Sequence, residues 1–127
     1  MKKVMLCEDD ITMLRLLITL LEMEGYQVTK VEGLSKADLM EKLTVEKPDL
    51  LLMDVHLRQV NGLDLLQALR QNSIFTNLRI IMTSGMNLKE ECLKNGANAF
   101  IMKPFMPDEL ITTIQKQLSN QEGTSLR

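Results

Sequence analysis

Aromatic residues are scarce in this chain, with no tryptophan, one tyrosine and three phenylalanines among 127 residues. Ten methionines stand in for them as flexible fillers of a core. Long apolar runs are missing too. None approaches the length needed to cross a bilayer, which excludes a membrane-spanning helix. Met1-Lys2-Lys3 resembles the basic start of a secretory signal, but the apolar run behind it stops at Glu8, so no such signal is expected. Nor is there an excess of one charge. Fifteen basic against 17 acidic residues leave a net charge of −2, which speaks against the basic face of a nucleic-acid module. Cysteine occurs only as Cys7 and Cys92, far apart and without metal-type spacing. They read as buried or incidental thiols, reduced in a cytosolic protein, and not as a disulfide or zinc site. What is present is 45% apolar residues in a chain of single-domain length, enough for a real core.

Strand-like and helix-like segments alternate five times along the chain. A first strand over Lys3 to Cys7 leads to a helix from near Asp10 to Glu24, with Ile11, Leu14, Leu17, Ile18 and Leu21 on one stripe and Gly25 stopping it. A second strand, Gln27 to Val31, precedes a helix from about Ser35 to Val45. Ser35 is its candidate cap, with Asp38 three residues on. Pro48 forbids further helix and leads into the third strand at Leu50. Then come a helix over Gly62 to Gln71, a strand from Leu78 to Thr83 or Ser84, a short helix from about Leu88 to Lys94, a strand over Ala99 to Met102, and a helix from Pro107 to Leu118. Five such units predict an α/β domain: a doubly wound parallel sheet with right-handed crossovers and helices on both faces. The domain is expected over residues 1–120, with a polar, disordered tail over 121–127.

Three strand ends carry the chemistry. Leu50-Leu51-Leu52-Met53 runs into Asp54, Val4-Met5-Leu6-Cys7 into Glu8-Asp9-Asp10, and Ala99-Phe100-Ile101-Met102 into Lys103. Open α/β sheets bind their ligands beyond the carboxyl ends of the strands. Glu8, Asp9, Asp54 and Lys103 are therefore expected to gather at one end of the sheet, with a hydroxyl from Thr83 or Ser84. Clustered carboxylates repel at neutral pH, and one lysine cannot balance them. A hard divalent cation with oxygen ligands, Mg²⁺ and not zinc, is the expected remedy. A carboxylate beside Mg²⁺ and an ammonium is suited to attack a phosphoryl group. Each residue also has a plainer reading. Asp10 is a helix cap, and Glu8 and Asp9 favour a helix N-terminus. Asp54 alone could be a turn residue, Lys103 a solvated lysine, Ser84 or Thr83 a strand-end hydroxyl and Phe100 a core residue. His56, the sole histidine, is expected to turn its side chain to solvent.

Taken together, in this order and spacing, these motifs resemble the receiver domains of two-component response regulators, over roughly residues 2–118. The resemblance implies a flavodoxin-like sheet of order 2-1-3-4-5 with five helices. It implies that Asp54 accepts a phosphoryl group from a histidine kinase or phosphotransfer protein. Asp9, Asp54 and the His56 backbone carbonyl would hold Mg²⁺, with Glu8 helping through water. Lys103 would contact the phosphoryl group, and the Lys103-Pro104 peptide would be cis. Ser84 would be the switch hydroxyl, with Thr83 as the alternative, and Phe100 the switch aromatic. A signalling protein in the cytoplasm is implied, not an enzyme in the ordinary sense. It would be a monomer or a phosphorylation-dependent dimer, with an effector protein and not a nucleic acid or membrane as its downstream partner. Output would pass through the face made by the fourth helix, fifth strand and fifth helix, with Pro107, Asp108, Ile111, Thr112 and Gln115 as candidate lining. A fragment of a longer regulator is the alternative.

Three departures stand out. Arg58 replaces the family's usual proline, which predicts a looser loop after Asp54. The segment from Ser84 to Gly96 is shorter than the common pattern. Met86 and His56 flank the water path to Asp54. An aspartyl-phosphate phosphohydrolase is disfavoured because His56 stands where its second acid belongs. A flavin binder is disfavoured because Glu8-Asp9-Asp10 would repel the flavin's phosphate.

Overall fold

The computed structural model describes residues 1–32 and 35–124, with side chains through residue 119. The elements are β1 (Lys3–Cys7), α1 (Ile11–Met23), β2 (Gln27–Lys30), α2 (Lys36–Glu46), β3 (Leu50–Asp54), α3 (Gly62–Gln71), β4 (Arg79–Ser84), α4 (Lys89–Lys94), β5 (Ala99–Met102) and α5 (Pro107–Thr124), with a 3-10 turn at Ser73–Phe75. All neighbouring strands are parallel, in the order β2-β1-β3-β4-β5.

Strand alternation sorts the core into two layers. Val4 and Leu6, Leu50 and Leu52, Ile81 and Ile101 pack with Leu17 and Leu21 of α1 and Leu110, Ile114 and Leu118 of α5. Met5 and Cys7, Leu51 and Met53, Ile80 and Met82 face the other way. They meet Leu39 and Leu43 of α2, Leu65, Leu66 and Leu69 of α3, and Cys92 of α4. β3 is buried along its whole length because it lies at the centre of the sheet, with helices above and below.

Helix ends follow local chemistry. Asp10 Oδ1 accepts the Met13 N–H at 3.0 Å and starts α1. Ser35 and Asp38 form a reciprocal capping box on α2, and the Asn61 side chain accepts the Leu63 N–H at 2.8 Å to start α3. Lys47, with φ 48°, ends α2 in the left-handed region just before Pro48 forces extended chain.

Several expectations need correction. β2 ends at Lys30, although Val31 is buried beside it. Ile11 is 64% exposed, because the first residue of α1 lies beyond the layer that Leu17 and Leu21 fill. The 3-10 turn is an addition, set by Asn72 accepting the Ile74 N–H. α5 continues past Leu118 to Thr124, and the remainder of the expected tail, 125–127, lies outside the described residues. Pro107, Asp108, Ile111 and Thr112 line a cleft with Leu20, Met23 and Glu24. They therefore face α1, not α4. Among the described residues no helix is long and apolar enough to cross a membrane.

Candidate functional site

The carboxyl ends of β1, β3 and β5 bring Glu8, Asp54 and Lys103 together. The Lys103 ammonium donates to Glu8 Oε1 at 2.7 Å and to Asp54 Oδ2 at 2.8 Å. Both carboxylates are buried, with side chains only 6% and 9% exposed. Each keeps a backbone donor on its second oxygen. The Asp10 N–H reaches Glu8 Oε2 at 3.1 Å, and the His56 N–H reaches Asp54 Oδ1 at 3.0 Å. These are charge-assisted hydrogen bonds of the strong kind. Burial works to lower the Lys103 pKa, but hydrogen bonds and charge from Asp54 and Glu8 outweigh it and hold the ammonium's pKa above its ordinary value. The Lys103–Pro104 peptide is cis.

Asp9 lies beside this triad and takes a different partner. Its Oδ2 accepts the backbone N–H of Arg58, which ties the loop after β1 to the loop after β3. A proline at position 58 has no N–H to give. The loop that Arg58 was expected to loosen is therefore anchored through Arg58 itself.

Gly62 shapes the same loop. Its N–H donates to Val55 O at 2.7 Å, and an antiparallel bridge pairs His56 with Asn61. A Cβ at Gly62 would stand 2.3 Å from the Asp54 carbonyl oxygen and 2.7 Å from Val55 Cα. Only glycine lets α3 start this close to Asp54.

Ser84 ends β4 and is fully buried. Its Oγ accepts the Met86 N–H at 3.0 Å and lies 3.0 Å from His56 Nε2. Thr83 is the residue in register with Asp54 across β3 and β4. Phe100 is half-buried against the α2–α3–α4 layer. His56 is solvent-exposed, as expected, but its ring contact with Ser84 was not foreseen. The two lie 28 residues apart, and nothing local in the sequence announces the pairing. Arg58 and Gly62 did carry signals, the absent proline and the Asn-Gly pair, whose consequences only three-dimensional proximity reveals.

Among the described residues no group of three or more His, Cys, Asp or Glu side chains stands ready to hold a metal ion. Asp9, Asp54 and the His56 carbonyl offer oxygen donors alone, which suits a hard cation completed by water. Cys7 and Cys92 are both free and buried, and neither belongs to the site. Burial, assisted by Asp9, pushes the Cys7 thiol up to about 12, and burial with Glu91 pushes Cys92 up to about 11.

Known proteins fit this geometry. The chain is 30% identical to the chemotaxis protein CheY of Thermotoga maritima, over 91% of this chain and 96% of that protein. It is 32% identical to the transcriptional regulatory protein KdpE of Staphylococcus aureus, over 98% of this chain but only 54% of KdpE. The chain thus spans about half of one curated relative and nearly all of another. Among solved structures, a CheY-like response regulator receiver domain protein from Methanospirillum hungatei matches with a TM-score of 0.86 and 29% identity, covering 98% of both chains. The family model described as the response regulator receiver domain matches residues 4–115. The chain therefore belongs to the response regulator receiver domains, the phosphoacceptor signalling modules of two-component systems.

Proposed function

We propose that Asp54 accepts the phosphoryl group in a phosphorelay, with a histidine kinase or phosphotransfer protein as donor. The observation that carries this reading is the buried Asp54 carboxylate held by Lys103 at a sheet's carboxyl edge. An Asp54 oxygen attacks phosphorus, the bond from phosphorus to the donor nitrogen breaks, and an acyl phosphate remains on Asp54. Lys103 is placed to follow the new negative charge, because its ammonium already sits on that carboxylate. Mg²⁺, held by Asp9, Asp54 and the His56 carbonyl with Glu8 acting through water, would offset charge on the phosphoryl oxygens. Ser84 supplies a hydroxyl that moves toward the phosphoryl group. Phe100, lodged against the layer that contains α4, turns with it and reshapes the α4–β5–α5 face for an effector protein.

The experiment is incubation with acetyl phosphate and Mg²⁺, followed by intact-mass measurement. One phosphoryl adduct is expected, lost with EDTA and absent in Asp54→Ala. Adduct formation unchanged by Asp54→Ala would overturn the assignment. The half-length match to KdpE favours a second reading, in which this receiver is the regulatory part of a longer protein. Its output would then pass to a covalently attached effector and not to a separate one.

A further inference from the structure

The His56 ring touches the hydroxyl on which the switch depends, and the chemistry of that contact is constrained. Ser84 is 0% exposed, so water cannot satisfy its hydroxyl. Its Oγ already accepts the Met86 N–H. The hydroxyl has a single hydrogen, and a buried donor left unpaired is costly. Among the described residues the acceptor within reach is His56 Nε2, at 3.0 Å, and no hydrogen bond joins the Ser84 hydroxyl to Asp54 or Lys103. The arrangement that leaves neither group orphaned is the Nδ1–H tautomer, in which the Ser84 hydrogen goes to Nε2 on a side chain open to solvent. Phosphoryl oxygens accept hydrogen bonds and cannot donate one without a proton. To serve them, Ser84 needs the same hydrogen that His56 holds.

We propose, building on the phosphoacceptor reading, that His56 is a positioning residue that restrains Ser84. Its imidazole competes with the Asp54 phosphoryl group for the one hydroxyl hydrogen. The switch must break this bond before Ser84 can move. His56 thereby shifts the balance toward the resting arrangement by the worth of one neutral hydrogen bond, about 2- to 10-fold in the equilibrium. Because the side chain is exposed, replacing it leaves the core intact.

The chain has one histidine, so its ring nitrogens give a single pair of signals by NMR. The probe is beryllofluoride with Mg²⁺, added to uniformly ¹⁵N-labelled protein. The expected result is an unprotonated, hydrogen-bonded Nε2 whose signal shifts in Ser84→Ala. Beryllofluoride should move the native signal to the Ser84→Ala position. In parallel, His56→Ala should lower the half-saturating beryllofluoride concentration about 2- to 10-fold, and should have no such effect in a Ser84→Ala background. A protonated Nε2, a ring signal indifferent to Ser84→Ala, or an equal effect of His56→Ala in both backgrounds overturns the restraint while leaving Asp54 as the acceptor. If beryllofluoride perturbs no amide around Asp54, the phosphoacceptor reading falls and the restraint falls with it.

Discussion

Replacing Lys103 by methionine would strip the ammonium from between two buried carboxylates. Glu8 and Asp54 would lose contacts of 2.7 and 2.8 Å and keep one backbone donor each. Removing one partner of a buried ion pair costs about 3–5 kcal/mol. The surviving backbone donors place the cost near the lower end, about 3 kcal/mol. For a domain of this size that lowers the melting temperature by about 10–18 °C. The assay is urea unfolding followed by circular dichroism at neutral pH in EDTA. Adding Asp54→Asn to Lys103→Met removes one of the stranded charges, so the two substitutions should couple by about 1–3 kcal/mol. The pH dependence has a definite sign. The folded pKa of Lys103 lies above its ordinary value, so its contribution is complete below about pH 10.4 and is lost as pH rises through the folded value. The difference between native protein and Lys103→Met should therefore shrink on the alkaline side. A cost below about 1 kcal/mol, the worth of a solvated pair, or strict additivity with Asp54→Asn, would refute the reasoning.

Three further outcomes are expected. Gly62→Ala must push the start of α3 off the Asp54 carbonyl, and should cost about 2 kcal/mol or more and slow phosphorylation by acetyl phosphate; unchanged unfolding and phosphorylation kinetics would contradict the close approach. Arg58→Pro removes the N–H that Asp9 accepts, and isothermal titration should show Mg²⁺ binding about 2- to 10-fold tighter once Asp9 is released. The buried thiols should resist iodoacetamide at pH 8 in native protein and react in urea. Their stabilising contribution is complete below about pH 8.5 and falls as pH rises toward about 12 for Cys7 and about 11 for Cys92, which thiolate absorbance can follow.

Much of the fold was legible because its signals are local. Apolar runs ending in Asp54, Glu8 and Lys103 mark strands whose ends must share an edge once the sheet is parallel. Asp10, Ser35 with Asp38, and Pro107 mark helix starts through capping chemistry that acts within one turn. What the sequence hid depends on distance in space. The fifth helix is expected to end at Leu118 because polar residues follow it, although α5 continues to Thr124. Helical spacing put Pro107, Asp108, Ile111 and Thr112 on a stripe, but spacing does not say which neighbour a stripe meets, and here it is α1. Arg58 reads as a missing constraint because it lacks the ring of the family's usual proline; its backbone N–H supplies the anchor. The contact between His56 and Ser84 joins two loops through a ring orientation that no pattern of residue types encodes.

The most direct measurement is identification of the residue that carries the phosphoryl group. Protein phosphorylated with acetyl phosphate and Mg²⁺ is reduced with borohydride, which converts an aspartyl phosphate to homoserine, and then digested and mapped by tandem mass spectrometry. The account predicts homoserine at position 54, dependent on Mg²⁺. Homoserine at another acid, or label on serine or histidine with position 54 unmodified, would contradict it.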